Sequence, residues 1–337
     1  MTLILIISAI GIAASLLYYF AATVAAVRFA SRAGSAPPPL PKIPPRIAVL
    51  KPLHGKSQSL GANILSFLEA GYPRGEFIFG VSDYEDSAAE IPLALKPAYQ
   101  FANIALSVGE EPGCANHKVA KLIRIAERAA KAEIFVLSDA DVSVDRDHLR
   151  RVVGELIADE KTGVVTCVYR ARPAGPLASR LEALYVNSDF APMAILSAAI
   201  EPMRHAFGAT IAIKRAVLEA SGGFRALRDL LADDFFIGRM AAQRGWKVKL
   251  SSSIVTLTCE EARFAQFWNH QLRWARTYRT LRPVSLATIL IHGPFWALVM
   301  LAASGFSSYA LGALAMVVGA RLAMSAVIIG RVLGLPE

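Results

Sequence analysis

The chain has 337 residues, 54% of them hydrophobic, a formal net charge of +9 and an isoelectric point near 9.6. Its length allows one large domain or two ordinary ones, and a mean hydropathy of +0.42 is high for a soluble globule. The basic residues cluster beside apolar runs, so an anionic bilayer surface accounts for the charge more economically than nucleic acid.

From Thr2 to Val27 no charged residue occurs, and roughly 20 such residues suffice to cross a bilayer. The run is too long for a cleaved signal peptide, and its basic residues follow rather than precede it, so it reads as a retained anchor. Residues 36–45 form a proline-rich, extended spacer. Beyond it, strand and helix patterns alternate. Residues 47–50 are a buried strand ending at Lys51-Pro52-Leu53-His54-Gly55. Leu60 to Ala70 has helical spacing, and residues 76–82 form a strand ending at Asp83. Residues 104–108 form another strand, Asn116 to Ala130 an amphipathic helix, and residues 133–137 a strand leading into Asp139. This order implies a mostly parallel sheet with helices on both faces.

Ser138-Asp139-Ala140-Asp141 carries the most information. Residues two apart on a strand point the same way, and open α/β sheets bind ligands at the strands' C-terminal edge. Two convergent carboxylates there suit a divalent cation carrying a diphosphate. An Asp-rich strand-to-helix turn would look the same, so the pair alone decides nothing.

Further strands are expected at residues 164–169 and 209–213, followed by a short helix from Arg215 to Ala220 closed by Gly222-Gly223. Residues 181–200 are apolar but broken by Glu182, Asn187, Ser188, Asp189 and Pro192, which favours a surface or lipid-facing helix over a span. Asp233-Asp234 opens another helix, where acidic residues also simply complement the helix dipole. Arg273, Arg276, Arg279 and Arg282 recur at helical spacing; for the last three a headgroup-facing stripe is the preferred reading. From Val284 to Ala303 and from Tyr309 to Ile329 the chain is again apolar, giving two further spans. Arg321 should therefore face other helices or snorkel. Basic flanks after the first span and before the second place the central region in the cytoplasm. Cys114, Cys167 and Cys259 stand far apart and read as free thiols. His54, His117 and His205 show no metal-ligand spacing, and His292 reads as interfacial.

Asp83, the Asp139/Asp141 pair, Asp233-Asp234 and His270-Gln271-Leu272-Arg273-Trp274 occur in a telling order. The chain resembles the ceramide glucosyltransferase family of membrane-anchored, inverting glycosyltransferases, within the cellulose-synthase-like superfamily, and bacterial hopanoid-modifying glycosyltransferases as well. The resemblance runs from about Ile47 to Arg282 and implies an α/β, GT-A-like nucleotide-sugar-binding domain plus about three transmembrane helices. It implies an anchor at 1–28, a linker at 29–46, a cytoplasmic catalytic domain at 47–263, a basic interfacial helix at 264–283 and a C-terminal membrane region at 284–337. Lys51 and Pro52 resemble the first-strand turn beside the nucleotide, Asp83 the aspartate contacting the base, and Asp139 and Asp141 the site for ribose, diphosphate and metal. Asp234 matches the general base, and Arg273-Trp274 the motif closing over diphosphate and acceptor. Lys118 is carried over to the phosphates from a partly matching Asn-x-Lys-Val segment. His270 departs from the expected Gln or Arg. The family also leads one to expect more polar sequence and another span beyond Glu337.

The resulting expectation is transfer of glucose or N-acetylglucosamine from a UDP-sugar to a membrane lipid hydroxyl, assisted by Mg2+ or Mn2+, with no role for nucleic acid. Arg273 and a cation would neutralise the leaving diphosphate, and Asp234 would take the acceptor's proton, its pKa raised by Asp233. Trp274 offers a flat face to a sugar or apolar acceptor. A processive polysaccharide synthase would need more spans for a channel. A silent nucleotide- or lipid-binding scaffold would leave clustered charges uncompensated.

Overall fold

The computed structural model describes residues 1–283 and 288–335. The chain forms two units, one from Met1–Gly34, Pro173–Ala199 and the chain from Glu261 onward, the other from Ser35–Arg172 and Ile200–Glu260.

The second unit is built on an eight-stranded sheet. Its strands are β1 (Ile47–Pro52), β2 (Gly75–Val81), β3 (Asn103–Val108), β4 (Ile134–Ser138), β5 (Val142–Ser143), β6 (Thr162–Pro173), β7 (Thr210–Lys214) and β8 (Lys247–Cys259), ordered β3-β2-β1-β4-β7-β6-β8-β5. The pairs β1–β2, β2–β3 and β1–β4 are parallel. Every residue of β1 and β4 is buried, which is why both read as unbroken apolar runs. The other half departs from the simple alternation: β7 runs antiparallel to β4, β6 to β7, and β5 to β8.

Helix His117–Arg128 packs across β1, β2 and β3 with Val119, Leu122, Ile123 and Ile125 buried. Each such side chain contributes about 1.5–3 kcal/mol of burial. The approach is close, because a Cβ at Gly80 of β2 would overlap the Ile125 side chain. The proline spacer lies along this unit. Arg74 Nη1 donates to the Pro44 carbonyl at 2.9 Å and Arg151 Nη2 to that of Ser35 at 2.6 Å. Serines 251–253, in a stretch to which the sequence pattern assigns no element, belong to β8. Ser251 and Ser253 are buried, and the Ser253 hydroxyl pairs with His148 Nδ1 at 2.8 Å, while Ser252 donates twice to Glu155. Burial of His148 pushes its pKa down to about 3, so it is a neutral structural group.

Among the described residues, the first unit contains three helices long and apolar enough to cross a membrane: Thr2–Ala33, Leu177–Ile200 and Ser308–Val332. The first and last were expected as spans, whereas residues 181–200 were expected as a surface or lipid-facing helix rather than a span. The chain before and after the middle helix, Ser35–Arg172 and Ile200–Glu260, builds one unit and one sheet, which a single crossing would put on opposite sides of a bilayer, so that helix qualifies by length and composition alone. Its polar residues turn inward: Glu182, Asn187 and Ser188 are buried, and Asp189 accepts two hydrogen bonds from Arg321 at 2.9 and 2.8 Å. Polar groups of a helix that lies against lipid belong on its packed side. The span expected from Val284 lies partly outside the described residues. Its described part is two short helices, Ile289–His292 and Phe295–Ala303, the longer about 14 Å against a core of about 30 Å. Arg321 meets its expectation, since it also donates to the His292 carbonyl, which accepts from Tyr19 Oη at 3.0 Å as well. Gly11 lets the first helix approach Trp296, whose ring fills the place of a Cβ there.

Candidate active site

The parallel strands end together. β1 runs out at Pro52, β2 leads to Asp83 and β4 to Asp139, so these residues share one edge of the sheet. The antiparallel β7 starts there too, because Thr210 pairs with Ser138. That register brings Gly208 and Ala209 beside Asp139. Thr166 fixes this approach: its hydroxyl donates to the Phe207 carbonyl at 3.0 Å and accepts from the Phe207 N–H at 2.8 Å.

Asn116 caps the helix His117–Arg128, its side chain accepting from the N–H groups of Lys118 and Val119. Such a cap contributes on the order of 1 kcal/mol. Its amide donates to the Leu230 carbonyl at 2.7 Å, which ties the approach to Asp233 to the same helix start. Lys118, in the first turn, then reaches Asp139 Oδ1 at 2.8 Å and Asp233 Oδ2 at 3.2 Å. Burial alone would lower its pKa, but Asp139, Asp233 and Asp234 together outweigh that and hold the ammonium firmly protonated.

Asp234 follows Asp233 in the first turn of helix Asp233–Gln243. That helix is held close by Gly238, where a Cβ would strike the backbone of His205 and Ala206. A Cβ on Gly208 would stand 2.9 Å from Asp234 Oδ2 and 3.5 Å from Asp139 Oδ2, so both carboxylates face this bare backbone. Burial, then the charge of Asp233, raise the Asp234 pKa to about 6, against the opposing pull of Lys118.

Lys51 is fully buried, and its Nζ donates to Ser138 Oγ at 3.3 Å, to the Asp139 carbonyl at 2.5 Å and to the Val142 carbonyl at 3.1 Å. It also lies 4.4 Å from the Phe67 ring centroid. Lys51 thus grips the backbone of the Asp-x-Asp turn from below, and burial pulls its pKa down to about 7. Asp141 is exposed, its carbonyl accepting from the Thr258 N–H at 2.9 Å. Pro52 is buried at the end of β1 opposite Gly80. Asp83 is exposed, its carboxylate accepting from the Glu85 N–H at 2.9 Å. It shares the edge with Asp139 two strands away, roughly 10 Å at the usual strand spacing. Asp86 ties the turns after β1 and β2 together by accepting from the N–H groups of Gly55 and Ala88, both at 2.9 Å.

Arg273 and Trp274 lie in the first unit, on helix Phe264–Leu281. The Trp274 ring meets His270 at 5.0 Å, Tyr185 at 5.6 Å and Phe190 at 5.9 Å between centroids. Lys118, Asp139 and Asp234 therefore converge. Sequence reasoning missed the lysine bridge to Asp233, and it missed Gly208, whose only signal is the absence of a side chain just before a strand. The carboxylate set fits a divalent cation: Asp139 and Asp141 offer oxygen donors on an accessible turn, with the Lys118 ammonium in ion-pair contact with Asp139.

Four parallel strands ending in an Asp-x-Asp turn, continued by antiparallel strands, define a GT-A-like glycosyltransferase fold carried with membrane-type helices. The family model for glycosyl transferase family 21 matches residues 5–335, and the chain belongs to that family. Ceramide glucosyltransferase 3 of Caenorhabditis elegans is 24% identical over 250 residues, covering 74% of this chain and 53% of that protein. Ceramide glucosyltransferase 1 of the same organism is 22% identical over 239 residues, covering 71% and 51%. The chain thus spans about half the length of these curated relatives. Among solved structures, the mannosyltransferase PcManGT from Pyrobaculum calidifontis, in complex with GDP-Man and Mn2+, matches with a TM-score of 0.58. It is 20% identical, with 96% of this chain and 97% of that one covered, and shows a shared fold.

Proposed function

We propose that this chain is an inverting glycosyltransferase that moves glucose or N-acetylglucosamine from a UDP-sugar to the hydroxyl of a membrane lipid of the ceramide or hopanoid kind. The observation that carries the reading is Asp234, facing Asp139 across Gly208 with its pKa at about 6. A carboxylate tuned toward neutral pH is suited to general-base work. In the reaction the acceptor oxygen bonds to the sugar's anomeric carbon, its proton passes to Asp234, and the bond to the diphosphate breaks with its electron pair leaving on UDP.

The other residues divide the remaining tasks. Asp139 and Asp141 would hold Mg2+ or Mn2+, which supplies positive charge to the leaving diphosphate. Lys118, protonated and anchored by Asp233, adds a charge-assisted donor on the same side. Asp233 also sustains the raised pKa of Asp234. Asp83, on the same sheet edge, would contact the nucleoside, and Lys51 with Pro52 would shape the turn beneath it. The resemblance assigns diphosphate and acceptor contacts to Arg273 and Trp274. Lipid as acceptor is supported by the names of the relatives and by the three apolar helices. Basic residues after the first apolar run (Arg28, Arg32, Lys42, Arg46) and before residue 284 (Arg273, Arg276, Arg279, Arg282) favour a cytoplasmic catalytic unit.

The test is UDP release from UDP-sugars by detergent-solubilised protein, with and without Mg2+ or Mn2+. Metal-dependent release, lost in Asp139→Ala and Asp141→Ala, supports the reading. Release that is indifferent to both substitutions overturns it.

A further inference from the structure

Glu182, Glu261 and His270, all within the first unit, bring one donor atom each into a cluster whose members lie within 4.8 Å of one another. His270 Nδ1 stands 3.0 Å from Glu182 Oε1 and 3.9 Å from Glu261 Oε1. Donors held about 2.1 Å from a common centre at tetrahedral angles are about 3.4 Å apart, so these separations bracket what a shared ion needs. Glu182 is the informative member. It is fully buried in a helix otherwise apolar enough to span a membrane. Its Oε2 accepts from Gln271 Nε2 at 2.8 Å, while its Oε1 receives no well-formed hydrogen bond and faces His270 Nδ1 at 3.0 Å. A buried carboxylate oxygen facing an imidazole nitrogen at that distance needs a proton or a metal cation between the two lone pairs, and a metal would also draw in Glu261.

We propose that Glu182, Glu261 and His270 form a transition-metal site, separate from the Asp139/Asp141 turn, that fastens helix Phe264–Leu281 to helix Leu177–Tyr185. One imidazole with two carboxylates suits Zn2+ or Mn2+ better than Mg2+, which favours oxygen and water. Gln271 is the outer partner that orients a ligating carboxylate. The ligand His270 also packs edge-on against Trp274, so the ion would fix the Arg273-Trp274 segment without touching substrate.

The experiment uses the full chain in detergent, stripped with chelator, dialysed and then titrated with Zn2+. Bound metal is counted by elemental analysis, and thermal stability is followed in parallel. Wild type and an Asp139→Asn/Asp141→Asn double variant should each bind one tight equivalent and melt at a higher temperature with it. His270→Gln and Glu261→Gln, each shown to be folded by its elution and melting profile, should bind at least about a hundredfold more weakly, since even outer-shell partners account for 10–100-fold. The double variant separates this site from the proposed catalytic one, so either can fail alone. Absence of tight Zn2+ in wild type, binding unchanged in His270→Gln and Glu261→Gln, or binding lost only in the double variant overturns the proposal.

Discussion

Replacing Asp234 by Asn should cut turnover sharply and stabilise the protein at the same time. The folded chain holds this carboxyl at about 6, against an ordinary value of 3.8. Below pH 3.8 both folded and unfolded states keep the proton. Between 3.8 and about 6 the unfolded chain releases it while the folded chain retains it, so stability falls as pH rises. Above about 6 the penalty is complete, and at about 1.4 kcal/mol per unit it amounts to about 3 kcal/mol. Asparagine fills the same space without the charge, so at pH 7.5 Asp234→Asn should melt several degrees higher, at about 2–4 °C per kcal/mol for a domain of this size. Near pH 4 the gap should close. Thermal melts of both proteins in the same detergent at the two pH values measure it. Turnover should fall about 10²–10⁴-fold, the usual share of a general base. Equal melting temperatures at pH 7.5, or a gap that persists unchanged at pH 4, would refute the electrostatic argument.

Four further outcomes follow from the same contacts. The kcat/KM of wild type should decline on the acid side with a midpoint near 6, because protonated Asp234 cannot accept the acceptor's proton; initial rates from pH 5 to 8 check it. Gly208→Val should lower activity about a hundredfold, the cost of an ångström-scale misplacement, because its Cβ would press on Asp234 and Asp139; turnover at saturating donor reports the loss. Lys51→Met removes the ammonium under the Asp139–Val142 turn and leaves buried acceptors unpaired, at about 1–3 kcal/mol each, so the variant should melt lower and need more metal for half-maximal rate. Removing Arg321 alone should destabilise the first unit more than removing Arg321 and Asp189 together, since a lone charge among apolar helices costs more than none; melts of the two singles and the double show it.

The parallel half of the sheet and the order of its ligand-bearing edges were legible because each strand is a short apolar run that stops at a polar residue. β1, β4 and the helix Leu60–Ala70 needed no tertiary information. The antiparallel half was harder to read. The buried face of β8 is made partly of Ser251 and Ser253, and Ser253 finds its partner His148, as Ser252 finds Glu155, about a hundred residues earlier, so local polarity misleads. The polar residues of the helix Leu177–Ile200 likewise have partners that sequence alone does not indicate, Glu182 in Gln271 and Asp189 in Arg321. At the candidate active site, Asp139 and Asp234 were visible through the motif order. The Lys118–Asp233 contact was not, because it depends on Asn116 capping one helix and holding the Leu230 carbonyl that leads to another.

The account stands most directly on the lipid product. Membranes containing this chain, a UDP-sugar and divalent metal should yield, by mass spectrometry, a membrane lipid heavier by a single hexose or N-acetylhexosamine residue, absent when Asp234→Asn replaces wild type. A polymeric product, a lipid carrying no sugar, or the same glycolipid formed undiminished by Asp234→Asn would contradict it.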